Sequence, residues 1–189
     1  MLTSRFEDAL IYANRLHAGQ KRKATQIPYI AHLLGVTALV LEDGGDEDQA
    51  IAALLHDAVE DQGGVKILEE IRKFYGDRVA DIVDGCTDAY QIPKPPWRER
   101  KEQYIIKVRS ASPEVRRVSL ADKVHNARTI VATLYDHGET TWRRFNGGKD
   151  GTLWYYRTLV NVFRETGSSY MTEELDRVVT EMEKYTSLD

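Results

Sequence analysis

The sequence predicts an all-α protein built as a helical bundle of about nine to ten helices. Apolar residues recur at helical spacing along nearly the whole chain, and no stretch alternates with the period of two that marks a half-buried strand. Glycine pairs fall between the periodic stretches, where they end helices. The chain has 189 residues, which suits a single domain over 1–189.

Capping and stop residues set the predicted helix bounds. Ser4 and Glu7 have capping-box spacing and start the first helix, which carries Phe6, Leu10, Ala13 and His17 on one side. A basic loop follows over 19–27, and Pro28 suits the first turn of the second helix. Asp46 can cap the third helix, and a proline-rich loop covers 93–96. After the first helix, the predicted helices are 29–41, 47–61, 65–75, 77–88, 97–110, 113–135, 151–166 and 172–185.

The charge and cysteine content of the chain disfavour several classes of protein. Lys and Arg number 26 against 30 Asp and Glu, a net charge of −4, which disfavours general binding to nucleic acid or to anionic membranes. The single cysteine, Cys86, forms no internal disulfide, and the N-terminus lacks the pattern of a signal peptide. The longest apolar run, 50–55, is far shorter than the ~20 residues of a membrane helix. These features predict a cytoplasmic protein, and they leave its oligomeric state open.

The third predicted helix carries the most informative residues. Residues 50–55 are apolar on all sides of the helix, which is typical of a helix inside a core. Its last turns nevertheless hold His56, Asp57, Glu60 and Asp61, which helical spacing places on two adjacent ridges. Ionised groups there are costly unless they are paired or bind a metal. The alternative is a frayed, solvated helix end.

Two other helices contribute polar residues of the same kind. His32 shares a side of the second helix with Val36 and Leu39, where a hydrogen-bonded core histidine is the alternative to a ligand. In the helix over 113–135, Asp122, Asn126 and Thr129 lie opposite an apolar stripe. Their short side chains favour a second buried face over a solvated one. That stripe consists of Leu120, Val124, Ala127, Val131 and Leu134.

Together these helices offer two imidazoles and two carboxylates, from His32, His56, Asp57 and Asp122. A mixed nitrogen and oxygen set suits Mn²⁺, Fe²⁺ or Zn²⁺, and spacing does not choose among these ions. Glu60 and Asp61 are then left over as candidates to position or deprotonate an attacking water.

Three ordered motifs resemble a known family. They read His17-Ala-Gly-Gln-Lys-Arg-Lys with Pro28-Tyr-Ile-Ala-His32, Ala52-Ala-Leu-Leu-His-Asp-Ala-Val-Glu-Asp61, and Leu120-Ala-Asp-Lys-Val-His-Asn126. Residues from about 6 to 134, which contain these motifs, resemble the HD-domain hydrolase half of the RelA/SpoT stringent-response enzymes. The later stretch Gly147-Gly-Lys-Asp-Gly-Thr-Leu-Trp-Tyr-Tyr156 is most similar to the stand-alone small alarmone hydrolases. The resemblance implies an all-α HD-domain bundle.

It also implies an activity. Enzymes of this kind are guanosine-3′,5′-bis(diphosphate) 3′-pyrophosphohydrolases, which use Mn²⁺ to remove the 3′-diphosphate of the alarmone (p)ppGpp as pyrophosphate. The implied ligands of one Mn²⁺ are His32, His56, Asp57 and Asp122, and the implied catalytic pair that handles the attacking water is Glu60 and Asp61.

The resemblance further implies the substrate contacts. Arg22 and Lys23 correspond to a basic pair that stacks on the base and attracts phosphate, although without the resemblance they read as a solvated loop. Asn126 and Thr129 correspond to positions at the ribose and base, and Lys149, with Tyr155, to positions facing phosphate. A second basic stretch is interpreted as an exposed helix start; it comprises Lys94, Arg98, Arg100 and Lys101.

Three alternatives stay open at this point. Residues 24–27 replace a loop in which the family commonly has a glycine, so the alarmone is based on either guanine or adenine. The chain could instead be another HD phosphohydrolase, such as an NADPH 2′-phosphatase. It could also be a metal-free alarmone-binding regulator, which the intact set of acidic and histidine side chains disfavours. Leu33, where the family usually has proline, should only adjust the second helix.

Overall fold

The computed structural model describes residues 1–23, 25–88 and 95–185. These residues form α-helices, one π-helical turn and one 3-10 helix, and their only β feature is an isolated bridge between Lys21 and Pro28. The all-α prediction is confirmed. The elements are α1 (Ser4–Leu16), α2 (Ile30–Glu42), α3 (Glu47–Leu55), the π-helical turn (Val59–Gly63), α4 (Val65–Tyr75), α5 (Asp77–Cys86), α6 (Trp97–Ser110), α7 (Pro113–His137), the 3-10 helix (Gly138–Arg144), α8 (Gly148–Thr166) and α9 (Tyr170–Tyr185).

The first helix starts at Ser4 as predicted, but its predicted cap and the predicted end of the third helix are wrong. The first helix is capped by Thr3, whose hydroxyl accepts from the Arg5 amide at 3.3 Å, so the Ser4–Glu7 capping box does not form. The third helix ends at Leu55 instead of continuing to residue 61, although the backbone keeps helical dihedral angles at His56 and Ala58 on its way into the π-helical turn. Asp46 caps α3 as predicted, accepting from the Gln49 amide at 3.1 Å. The predicted loop over 93–96 lies partly outside the described residues, which resume at Pro95.

The chain divides into two compact units. The first comprises Met1–Lys94 and Ala111–Ala121. Its centre is α3, on which α1, α2 and α5 pack, while α4 packs on α5. Every residue from Ala50 to Leu55 is fully buried, as the apolar run predicts. The end of α3 therefore lies in a core, and whatever follows it begins there.

The second unit comprises Pro95–Ser110 and Asp122–Asp189. Within it α8 packs on α6, on α9 and on the 3-10 helix. Trp97 of α6 covers the start of α8 so closely that a Cβ on Gly147 would lie 2.6 Å from its ring. The predicted apolar stripe of α7 is buried, and so is Asp122 on the opposite side, whereas Asn126 and Thr129 on that side are partly exposed.

No helix in the described part of the chain is long and apolar enough to cross a membrane.

Glu174 stabilises the second unit in a pH-dependent way. This buried carboxylate accepts hydrogen bonds from Arg177 at 2.8 Å and from Arg128 at 2.9 Å, and these bonds lower the pKa of Glu174 to about 2 from its usual 4.5. The native state therefore binds fewer protons than the unfolded state between those values. The stabilisation is present above pH 4.5 and disappears as the pH falls towards 2.

We expect Glu174→Gln to lower the free energy of unfolding at pH 7 by about 1–2 kcal/mol, since solvent screens both partly exposed arginines. The difference from the unmodified protein should shrink as the pH approaches the folded-state pKa. Urea titrations from pH 7 to pH 3 measure it. Glu173→Gln is the matched control, because Glu173 is exposed in its pair with Arg164 and should contribute little. Equal losses in both variants at pH 7 would contradict the prediction.

Candidate metal centre

Three predicted metal ligands meet in the first unit around one carboxylate oxygen. Asp57 Oδ2 lies 3.1 Å from His56 Nε2 and 3.5 Å from His32 Nε2. Potential ligand atoms of all three residues lie within 4.8 Å of one another. Both imidazoles are buried, His32 at 1% and His56 at 3% exposure, whereas Asp57 is partly accessible. The cluster thus has a buried side and an open side.

The secondary structure explains how these side chains converge. His56 and Asp57 follow directly on Leu55, where the buried helix α3 ends, and His32 lies in the first turn of α2, which packs on α3. The predicted frayed and solvated helix end is therefore not what the structure shows. His32 is not an isolated core histidine either, because its ring meets the His56 ring edge to face at 5.3 Å.

The hydrogen bonding of His56 fits a divalent metal. Its Nδ1–H donates to the Ala53 carbonyl at 2.8 Å, because a carbonyl oxygen only accepts. This bond places the lone pair of the neutral ring on Nε2, the nitrogen that faces Asp57. Metal-binding histidines are commonly oriented in this way, with the second ring nitrogen donating to a carbonyl or carboxylate. Two imidazole nitrogens and a carboxylate oxygen form a suitable donor set for a divalent ion.

Tyr29 also contacts the cluster. Its hydroxyl donates to Asp57 Oδ2 at 2.6 Å, and its ring meets the His32 ring edge to face at 5.6 Å. Burial of the phenol, together with the neighbouring negative charge of Asp57, raises the pKa of Tyr29 well above its usual value. Tyr29 therefore stays protonated and remains a hydrogen-bond donor to this carboxylate.

The two predicted catalytic carboxylates lie in the π-helical turn. Glu60 accepts from the Asp88 amide at 3.3 Å, and Asp61 Oδ2 accepts from Gln20 Nε2 at 2.7 Å. Desolvation and the negative charge of Asp57 raise the pKa of Asp61. The Asp61 amide still donates to the Asp57 carbonyl at 3.0 Å, as in a regular helix, and the turn then widens and closes with the Gly64 amide bonded to the Val59 carbonyl at 2.9 Å.

The basic pair lies in a closed loop between α1 and α2. The Arg22 amide donates to the Ile27 carbonyl at 2.9 Å, which holds the two sides of the loop together. The Arg22 guanidinium lies over the Tyr29 ring, 5.5 Å from its centroid, whereas Lys23 is exposed. Arg22 is therefore not simply solvated. The roles predicted for both residues towards a nucleotide stay predictions.

The remaining predicted residues belong to the second unit. Asp122 is only 7% exposed and accepts hydrogen bonds from Lys123 and Asn126, each at 2.5 Å. Thr129 donates to the His125 carbonyl within its own helix, and Lys149 pairs with Glu139 at 3.1 Å. The structure thus brings His32, His56 and Asp57 together, and the ligand role of Asp122 stays a prediction.

Sequence reasoning assigned no role to Tyr29 or to Gln20, although both occur in the quoted motifs. A signal for Tyr29 was present, because it precedes His32 by three residues and so lies on the same side of a helix start. Gln20 gave no comparable signal. Its contact with Asp61 depends on how the loop folds.

The comparisons with known proteins agree with these motifs. The profile of the family described as "HD domain" matches residues 9–152. Guanosine-3′,5′-bis(diphosphate) 3′-pyrophosphohydrolase MESH1 of Xenopus tropicalis is 38% identical over 126 residues, which cover 65% of this chain and 68% of that protein. The GTP pyrophosphokinase of Streptomyces coelicolor is 39% identical over 127 residues, 66% of this chain, but this chain spans only 14% of its length.

A solved structure extends the similarity to nearly the whole chain. A metazoan orthologue of SpoT, described as hydrolysing ppGpp, superposes with a TM-score of 0.80 at 28% identity, covering 96% of this chain and 97% of that one. A structure from Listeria monocytogenes reaches a TM-score of 0.71 at 31% identity, over 81% of this chain and 99% of that chain. The resemblance inferred from the three motifs is confirmed.

We expect Asp57→Ala to abolish stable Mn²⁺ binding, because it removes the one oxygen that faces both buried imidazoles. Elemental analysis of the protein after Mn²⁺ loading and desalting measures the bound metal. Asp81→Ala is the matched control, since Asp81 is an exposed aspartate of the same unit that pairs with Arg72. Retention of stoichiometric Mn²⁺ by Asp57→Ala would show that the metal binds elsewhere.

Proposed function

Because the chain belongs to the HD-domain family, we propose that it is a Mn²⁺-dependent hydrolase that removes the 3′-diphosphate of a purine nucleotide alarmone as pyrophosphate. The substrate is (p)ppGpp or its adenine counterpart (p)ppApp. The observation that carries the proposal is the cluster of His32, His56 and Asp57, with two further carboxylates in the turn that follows it. A cytoplasmic location is part of the same proposal.

The relatives support hydrolysis in preference to synthesis. This chain spans only 14% of the length of the Streptomyces GTP pyrophosphokinase, so the name of that enzyme describes mostly residues outside the match. It covers 68% of the frog MESH1, whose name states the hydrolase activity alone. The structural neighbour that spans nearly the whole chain is also described as hydrolysing ppGpp. These two names support a hydrolase activity for the region held in common.

The proposed metal ligands are His32, His56, Asp57 and Asp122. The first three carry the donor atoms described above, and Asp122 is proposed from its motif. When bound, a divalent ion polarises a phosphate oxygen and makes a water molecule easier to deprotonate. Loss of Mn²⁺ binding in Asp122→Ala would support the fourth ligand, whereas retention would remove Asp122 from the set.

The acidic residues of the π-helical turn handle the water. Glu60 accepts the proton of the attacking water as a general base, and Asp61 orients that water. The water oxygen forms a bond to the phosphorus that is linked to the ribose. The bond from that phosphorus to the 3′-oxygen breaks, and the 3′-oxygen takes a proton from solvent, which leaves pyrophosphate and a 3′-hydroxyl group.

Substrate recognition is assigned to the remaining polar and basic residues. Arg22 and Lys23 attract the phosphates and stack on the purine, an interaction worth roughly 0.5–2 kcal/mol for a cation over an aromatic face. Asn126 and Thr129 contact the ribose and base, and Lys149 faces a phosphate. Because the protein carries a net charge of −4, such local positive charge is needed to bind a polyanionic nucleotide.

A side-by-side substrate assay tests the function. Purified protein with Mn²⁺ is given ppGpp, pppGpp, ppApp, pppApp and NADPH, and chromatography resolves the products. We expect pyrophosphate from one or both alarmone classes and no phosphate from NADPH. Phosphate release from NADPH alone would replace the proposal with a 2′-phosphatase. Binding of alarmones without turnover would replace it with a regulator.

Glu60→Gln separates chemistry from metal binding. We expect the variant to retain Mn²⁺, because Glu60 is not a proposed ligand, and to lose activity by a factor of about 10²–10⁴, the usual contribution of a positioned acid or base. Turnover numbers and elemental analysis measure both effects. Glu70→Gln is the matched control, a surface glutamate that accepts from Tyr12 and should leave turnover unchanged. Loss of Mn²⁺ from Glu60→Gln would make Glu60 a ligand instead.

A further inference from the structure

We propose that Tyr29 and Gln20 are positioning residues for the carboxylates of Asp57 and Asp61, and that the buried His17 holds both of them in place. The kinetic part of this inference rests on the proposed function. The metal-binding and spectroscopic parts do not, because they concern contacts among residues of the first unit. None of these three residues was assigned a role above.

The fold of the loop between α1 and α2 places Tyr29 and Gln20 side by side. The Tyr29 amide donates to the Gln20 carbonyl at 3.0 Å, and the Lys21–Pro28 bridge continues the pairing one step towards the loop tip. Both side chains therefore start from the base of the loop. One contacts Asp57 at 2.6 Å and the other contacts Asp61 at 2.7 Å, so this base reaches two carboxylates of the site.

Tyr29 is held by its ring. The His17 imidazole stacks on it with centroids 5.1 Å apart and an interplanar angle of 12°. The His32 ring meets the same phenol edge to face. With the ring fixed by both neighbours, the hydroxyl has a defined direction, and it donates to the Asp57 oxygen that faces both proposed histidine ligands. Such a bond orients a ligand carboxylate before any metal binds.

The orientation of the Gln20 amide follows from its partners. A carboxylate only accepts, so the atom facing Asp61 is the donor Nε2 and the other end of the amide is Oε1. Oε1 lies 2.7 Å from His17 Nδ1 and accepts a bond of 2.5 Å from Gln62 Nε2. Gln62 Nε2 also lies 3.2 Å from His17 Nδ1, but Oε1 cannot donate, so the shorter contact of 2.7 Å places the proton on Nδ1 and the longer one is not a hydrogen bond. The amide is thus held at Oε1 by two donors and presents Nε2 to Asp61.

The burial of His17 has a cost at one of its ring nitrogens. This residue is 3% exposed, and its Nε2 has no hydrogen-bond partner among the residues that the structure describes. A buried polar nitrogen without a partner is unfavourable. The same ring nevertheless stacks on Tyr29 and donates to Gln20, and a purely apolar side chain would lose the second contact. This arrangement fits a residue retained for the site.

Metal binding tests the Tyr29 contact. Tyr29→Phe keeps the ring that stacks on His17 and removes only the hydroxyl. We expect the Kd for Mn²⁺, measured from the free-ion signal in electron paramagnetic resonance titrations, to rise about 10–100-fold, the usual effect of losing an outer hydrogen bond to a metal ligand. Tyr12→Phe is the matched control, because it removes an equivalent tyrosine–carboxylate bond of 2.7 Å, to Glu70, away from the cluster.

The result for Tyr29→Phe is decisive in either direction. A raised Kd for Mn²⁺ with an unchanged melting temperature in Tyr29→Phe, together with an unchanged Kd in Tyr12→Phe, supports a positioning role. A Kd within twofold of the unmodified protein overturns it. Because the probe is Mn²⁺ itself, this outcome stands even if no nucleotide is hydrolysed.

Nuclear magnetic resonance tests the Gln20 contact. In the neutral ring of His17 we expect the proton on Nδ1, which long-range ¹H–¹⁵N spectra distinguish from a proton on Nε2. Gln20→Met removes the accepting oxygen at similar side-chain volume, and we expect it to abolish the preference for Nδ1. If the unmodified protein has its His17 proton on Nε2, the inferred amide orientation is wrong and this half of the proposal fails.

Kinetics then distinguish the two positioning roles. We expect Gln20→Met to lower kcat on the alarmone by about tenfold or more, with KM and the Kd for Mn²⁺ unchanged, because Asp61 is not a proposed metal ligand. A merely structural loss would instead lower the melting temperature and affect all three constants. An unchanged kcat in an active enzyme would overturn the role of Gln20. Absence of hydrolysis in the unmodified protein would count against the proposed function alone.

Discussion

The first unit is built around two buried imidazoles that face one carboxylate oxygen where the buried helix α3 ends. The run Ala50–Leu55 has no exposed face, so the chain that leaves α3 starts inside the core. His56 cannot reach solvent there, and packing of α2 on α3 brings His32 to the same place. Asp57, with its open side, supplies the oxygen that faces both rings. Polar groups buried in this way persist only when they are paired.

The π-helical turn follows from the same constraint. A regular helix through residue 61 would continue in the direction of α3, with its acidic residues on two narrow ridges. The α-helix instead ends at Leu55, and the backbone keeps helical dihedral angles at His56 and Ala58 before it widens into the π-helical turn. Gly64, with φ of +62°, ends that turn in a conformation that favours glycine. Single π-helical turns are frequent at functional sites, and this one carries both proposed catalytic carboxylates.

Apolar periodicity predicted which helix faces are buried, but it did not predict the helix ends and side-chain pairs that depend on single hydrogen bonds. The buried face of α7 and the core position of α3 follow from apolar spacing, and the ligand set followed from the cost of burying histidine and aspartate. The true cap at Thr3 and the early end at Leu55 depend on which oxygen reaches which amide. Thr3 and Ser4 are both residue types that cap helices, and they are neighbours, so spacing does not distinguish them as the cap. It likewise contains no sign that Lys149 pairs with Glu139.

The contacts of Tyr29 and Gln20 depend on how the loop between α1 and α2 folds, so helical periodicity did not predict them. The pairing within this loop brings residues nine positions apart into contact, and neither helical nor strand periodicity records such a closure. Its tip carries Arg22, whose guanidinium lies over the same Tyr29 ring whose hydroxyl bonds to Asp57. One aromatic side chain therefore contacts both a residue proposed to bind the nucleotide and a residue proposed to bind the metal. Under the proposed function, variation at the loop tip would alter purine preference while the paired base, Gln20 with Tyr29, would keep the carboxylates in place.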